Sequence, residues 1–157
     1  MAAVSAFLSM EPASDNEWEA RAARIFPAGT APNPVHDFAL AYAYLLGRRF
    51  EAAARTIERI YASGEQSDND ALPVLLAWAY LETGRAAEAQ PLLRTNPAPS
   101  VSGTGPFLVL YFPRLFYLRG LSAGRQGKPE EASAQFELFR KLSGPTPLIW
   151  GEEAQAK

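Results

Sequence analysis

Small, bulky and glycine positions recur along this chain in one order. Ala41, Ala77 and Gly120 are followed three residues later by Tyr44, Tyr80 and Ala123. Then come Gly47, Gly84 and Gly127, the small residues Ala53, Ala89 and Ala132, and the bulky apolar residues Ile57, Leu93 and Phe136. The first two copies are offset by 36 residues (41 to 77, 53 to 89) and the last two by 43 (77 to 120, 89 to 132), with Gly47 alone one residue early. A period of this length marks stacked helical hairpins, because one such unit cannot bury its apolar face alone.

The hydrophobic stripe and its punctuation predict the elements. Asn33 and Pro34 form a cap and first turn for a helix with Val35, Phe38, Leu40, Ala41, Tyr44 and Leu45 on its stripe, and Gly47 is expected to stop it. A second helix runs from Phe50 to about Ala62, with Phe50, Ala53, Ile57 and Ile60 on one face. The short turn between them makes the two antiparallel. After a polar stretch, Asp70 caps a helix through Leu76, Ala77 and Tyr80 to Gly84, and its partner begins near Ala86 and ends near Arg94, weakened by Pro91. Residues 95–105, rich in Pro, Gly, Ser and Thr, read as a loop. The apolar segment Phe107 to Phe112 then leads to a new helix starting at Pro113, so residues 95–112 form an insertion that explains the longer spacing. The third hairpin covers 113–142, with a turn at Gly127.

Two weaker segments flank these hairpins. Ser14 to Glu17 can form a capping box for a helix within residues 1–27, and 147–156 can form a last helix with Leu148, Ile149 and Trp150 facing inward. Terminal units of solenoids are expected to be atypical, since one face meets solvent.

Composition narrows the function classes. The 157 residues suit one domain, and 48% apolar with 20% charged residues is a globular balance. Fifteen basic and 17 acidic residues are spread without a like-charge run, which argues against nucleic-acid binding through a basic face. With no cysteine, disulfides, thiol catalysis and cysteine-ligated zinc are excluded. No apolar run approaches the ~20 residues of a membrane helix. Nothing here fixes the compartment, although the opening residues lack a signal peptide's basic start, which favours the cytoplasm.

The repeated pattern resembles the tetratricopeptide repeat, whose unit is about 34 residues with small residues where two helices touch. The resemblance rests on Leu40, Ala41, Tyr44, Gly47, Phe50, Ala53 and Ile57; on Leu76, Ala77, Tyr80, Gly84, Ala86, Ala89 and Leu93; and on Gly120, Gly127, Ala132, Phe136 and Phe139. Small residues such as Ala41 against Ala53, or Gly120 against Ala132, let helices approach while Ile57 or Phe136 fills the adjacent gap. The third copy departs from the pattern, with Arg119 and Ala123 where Leu and Tyr are usual. The resemblance implies an all-α, right-handed superhelix of about three hairpins with extra flanking helices, and a protein-binding module without catalysis, metal or cofactor.

Candidate chemistry is thin. Gly120 to Gly124 spells the G-x-S-x-G nucleophile elbow around Ser122, but it falls inside a predicted helix, where the motif needs a strand-to-helix turn, and the single histidine, His36, precedes it. Gly127-Lys128 lacks both the first glycine and the hydroxyl residue of a phosphate loop. His36 alone makes a poor metal site. Glu130, Glu131, Glu152 and Glu153 sit near helix starts, where the dipole favours negative charge without acid-base chemistry.

What remains is a surface. In tetratricopeptide arrays the first helix of each hairpin lines a concave groove. The pattern assigns to it Phe38, Tyr42 and Leu45, then Val74, Trp78 and Leu81, then Arg114, Tyr117, Leu121 and Arg125. Such a row either receives a protein segment or is covered by the chain itself, for instance by residues 107–112. The leading expectation is a scaffold that binds a peptide or helix there. The alternative is a structural or regulatory repeat domain of a larger, possibly catalytic, protein. Phe38 and Tyr42 occupy places where a carboxylate clamp would need Lys or Asn, so an acidic tail is not the expected groove ligand.

Overall fold

A computed structural model of the protein describes Ala20 and residues 34–63, 71–94 and 105–143, and every regular element among them is an α-helix. We label these α1 (Pro34–Leu46), α2 (Phe50–Ser63), α3 (Ala71–Glu82), α4 (Ala86–Arg94), α5 (Gly105–Arg125) and α6 (Pro129–Ser143). The flanking segments expected within 1–27 and 147–156, apart from Ala20, lie outside the described residues, as do Asp70 and most of the loop before Gly105. The chain divides into two compact units, Met1–Ser67 with α1 and α2, and Asp68–Lys157 with α3 to α6.

The three hairpin turns share one hydrogen-bond scheme. The N–H of Arg49 donates to the Tyr44 carbonyl at 2.8 Å, that of Arg85 to Tyr80 at 2.8 Å, and that of Lys128 to Ala123 at 3.0 Å. This six-to-one bond closes a helix when the residue before the donor is left-handed. Those residues are Arg48 (φ 58°), Gly84 (φ 79°) and Gly127 (φ 71°). Gly47 is therefore not the left-handed stop that the sequence implied. The left-handed site keeps its place in the repeat, seven residues after the small position, and in the first copy an arginine must adopt it. The donor's own carbonyl then starts the next helix, accepting from Ala53, Ala89 and Ala132 at 3.0, 3.2 and 3.0 Å.

In the first unit, α1 and α2 meet through fully buried alanines, Ala41, Ala43, Ala53 and Ala54, with Ile57 and Ile60 beside them. Asp37 and Arg59 pair across the two helices at 3.4 Å. Arg49 lays its guanidinium 5.0 Å from the centre of the Tyr44 ring, the same residue whose carbonyl its backbone bonds.

The second unit is built around α3. Ten of its twelve residues are buried, from Ala71 to Leu81, and a helix apolar on all sides must be surrounded rather than laid on a surface. Alongside it, α4 buries Ala89 and Leu93 and leaves Pro91 exposed, so the ring projects from its outer side. The turn repeats the first unit's chemistry more tightly: Arg85 stacks on Tyr80 at 3.9 Å and donates two hydrogen bonds to Glu88.

Helix α5 departs from expectation at its start. It begins at Gly105 and passes through Pro113 instead of starting there, giving 21 residues. A proline inside a helix removes one N–H donor and costs about 3 kcal/mol. Here Pro113 is buried, and Arg114, Leu115, Tyr117 and Leu118 behind it are nearly inaccessible, so packing outweighs the local penalty. Residues 107–112 thus extend the axis of α5. A continuous helix does not fold back on itself, so they are no separate strap over its own face.

The α5–α6 contact also has a different register from the one read off the small residues. A side chain at Gly120 would meet the Phe136 ring, with Cε1 2.5 Å from where its Cβ would stand, while Gly124 lies opposite Ala132 at 3.9 Å. Antiparallel helices explain the shift, because one turn back along α5 matches one turn forward along α6.

Candidate functional site

Each unit places its part of the first-helix row separately. In α1, Phe38, Tyr42 and Leu45 are buried, and the two rings stack with centroids 6.3 Å apart and planes 6° from parallel. In α3, Val74, Trp78 and Leu81 are buried; in α5, Arg114 and Tyr117 are buried, Leu121 is half-buried and Arg125 is exposed.

Two pairs of row residues come together between α3 and α5. Arg114, 2% exposed, sits 3.8 Å from the Trp78 ring, and Trp78 itself is 8% exposed. A guanidinium face on an indole, both withdrawn from water, gains about 2 kcal/mol or more, which helps offset the cost of burying the charge. Near the other end of the helices, Arg125 donates from Nη1 to the Leu81 carbonyl at 2.5 Å. That carbonyl lies in the last turn of α3, where cations complement the helix dipole. Tyr117 goes elsewhere. Its ring packs on Phe136 and Phe139 of α6, at 5.9 and 5.4 Å, inside the third hairpin.

Arg119, where the repeat pattern departs from leucine, has a structural use. Its Nε donates to the Leu93 carbonyl at 2.8 Å, satisfying the end of the short helix α4, and its guanidinium lies 5.6 Å from the Phe116 ring. Burial pushes its pKa below the ordinary arginine value. The signal for this role was in the sequence, as the departure from leucine, but nothing there named the carbonyl it would meet.

The serine motif resolves in the same way. Residues 120–124 lie within α5, so the strand-to-helix turn of a nucleophile elbow is not formed there, and the Ser122 hydroxyl and carbonyl accept hydrogen bonds from Gln126 Nε2 at 3.0 and 3.1 Å. Among the described residues no three His, Asp or Glu side chains are placed to hold a metal ion. No described helix is long and apolar enough to cross a membrane. The shifted carboxyls belong to surface pairs. The hydrogen bonds from Arg85 hold Glu88 below its ordinary 4.5, and Lys141 does the same for Glu137.

No curated protein and no solved structure matches this chain. A family model does: that of the tetratricopeptide repeat matches residues 74–95, which take in most of α3, its turn and α4. Repeats of this kind serve in protein–protein interaction and scaffolding, and they are generally not enzymes. The α3–α4 hairpin thus matches a tetratricopeptide repeat, and the described residues around it are likewise all helical.

Proposed function

We propose that this chain is a non-enzymatic interaction or scaffold module in which the first-helix row is internal packing, making it a structural or regulatory repeat domain of a larger protein or assembly. The observation that carries this reading is the burial of α3 on all sides, Trp78 included. An open docking groove needs large side chains that solvent reaches before the partner does. Here the Trp78–Arg114 pair and the Arg125–Leu81 bond use the row to join α3 to α5.

A second reading keeps the row as a peptide- or helix-binding surface. It is favoured by Leu121 and Arg125, which remain half-buried and exposed at the end of α5, and by the hot-spot residue types of the row. The two readings separate on Trp78→Ala and Leu121→Glu, tested by urea denaturation and by quantitative capture of cross-linked partners from the source cells. Internal packing predicts that Trp78→Ala loses about 3–5 kcal/mol, as for a core tryptophan, while Leu121→Glu keeps every partner. If Trp78→Ala instead keeps its stability and both variants lose the same partner, the row is a docking site. Labelling of Ser122 by a serine-directed activity probe in the folded protein would sink the non-enzymatic reading altogether.

A further inference from the structure

The packing register leaves one end of α5 without its neighbours. Gly120 meets Phe136 and Gly124 lies opposite Ala132, so each step back along α5 is matched by a step forward along α6, and the last residue of α6, Ser143, falls opposite Pro113. Helix α4 also stops short, since its next-to-last residue, Leu93, already meets Arg119. Residues 105–112 therefore run on past the ends of both helices, for about 12 Å at a rise of about 1.5 Å per residue. Phe112 and Phe116, paired edge to face at 5.4 Å, stand at this border and are only half-buried.

Two properties of the overhang call for a cover. Every residue from Phe107 to Phe112 is apolar, so whichever face this stretch turns outward is apolar, and a helix of that kind is stable when surrounded. Pro113 removes a backbone donor that would tie the stretch to the rest of α5, and so short a helix does not hold by itself in water. The chain carries a fitting segment close by. Helix α6 ends beside the overhang, and Gly144, Pro145, Thr146 and Pro147 then lead to Leu148, Ile149 and Trp150, which lie outside the described residues. Prolines at 145 and 147 oppose continuation of α6 and restrict the paths open to the link. From Ser143 to Leu148 the backbone can span at most about 17 Å, which is enough to set the triplet against the overhang. A tethered segment also acts at a high effective concentration, which favours it over a free partner or a second copy.

We propose that Leu148, Ile149 and Trp150 dock on residues 105–112 of α5, so that the chain covers this apolar helix end itself. None of the first-helix row takes part, so the outcome is independent of whether that row is core or docking surface. The chain has no cysteine, and Ala154→Cys in the full chain therefore gives a single site for a nitroxide label. Paramagnetic broadening is expected at the amides of Phe107 to Phe112, with the amide of Gly127, past the far end of α5, unaffected. Trp150→Asp in the labelled chain should remove that broadening and speed hydrogen exchange of the same amides about tenfold, while exchange in α3 stays as it was. Absence of broadening, or broadening that survives Trp150→Asp, overturns the proposal. Broadening of equal strength in unlabelled, isotope-enriched chains mixed with labelled ones assigns the overhang to a second copy and overturns it too. Unprotected exchange of residues 107–112 in the unaltered chain has the same force, because nothing then covers them.

Discussion

The contact between Gly120 and Phe136 gives the sharpest test of how these hairpins pack. Replacing Gly120 by alanine in the middle of α5 gains about 1 kcal/mol of helix propensity. Against that, the new methyl would stand 2.5, 2.6 and 2.9 Å from Cε1, Cδ1 and Cζ of Phe136. Carbon atoms rest at about 3.5–4.0 Å, so the ring must move by about 1 Å. Tyr117 packs against it at 5.9 Å and restricts one direction of escape. Overpacking of this size costs about 1–3 kcal/mol, so Gly120→Ala should destabilise the protein by about 1 kcal/mol net. In a Phe136→Ala background the obstacle is gone, and the same substitution should stabilise by about 1 kcal/mol, a coupling of about 2 kcal/mol. Urea unfolding of the wild type, both single variants and the double variant measures this cycle. If Gly120→Ala is stabilising in the wild-type background, or changes stability equally in both backgrounds, the ring is not what excludes a side chain and the reasoning fails.

The turns supply two more expected outcomes. Arg48 holds a left-handed conformation that costs an L-residue about 1–2 kcal/mol, so Arg48→Gly should raise the urea midpoint, with the Tyr44–Arg49 stacking unaffected, whereas Gly84→Ala should lower it by a similar amount. Because Arg85 lowers the Glu88 pKa in the folded state, their pairing contributes above the unfolded value of about 4.5 and is lost as pH falls through the lower folded value. Carboxyl-carbon NMR should therefore show Glu88 titrating below an exposed glutamate, and Arg85→Met should return it to the ordinary range.

The hairpins were legible because their signals are local. The helical periodicity, the Ala41–Ala53 and Ala77–Ala89 spacing and the short turns within each hairpin place α1 to α4 to within a residue or two of where they lie. The start of α5 was misread for the same reason: Pro113 is a strong local breaker, and only the burial of the residues around it explains why the helix continues. The candidate row was only half legible. Its residues could be assigned to first helices, yet whether a side chain faces solvent depends on what packs against it. The all-round apolar sequence of α3 was the available sign that Val74, Trp78 and Leu81 would be enclosed.

By itself, then, the sequence determined the helical hairpin, its period and the polarity of its turns, since spacing and capping act over a few residues. It also carried the tetratricopeptide pattern. The tertiary structure alone decided that the left-handed turn site falls on Arg48, that Gly120 faces Phe136, and that Arg114, Arg119 and Arg125 are spent on Trp78 and on the Leu93 and Leu81 carbonyls. These pairings join residues 16 to 44 positions apart, or hold a backbone to a register that neighbouring helices impose. No local rule reaches that far, because the partner is chosen by how helices pack and not by what stands next in the chain.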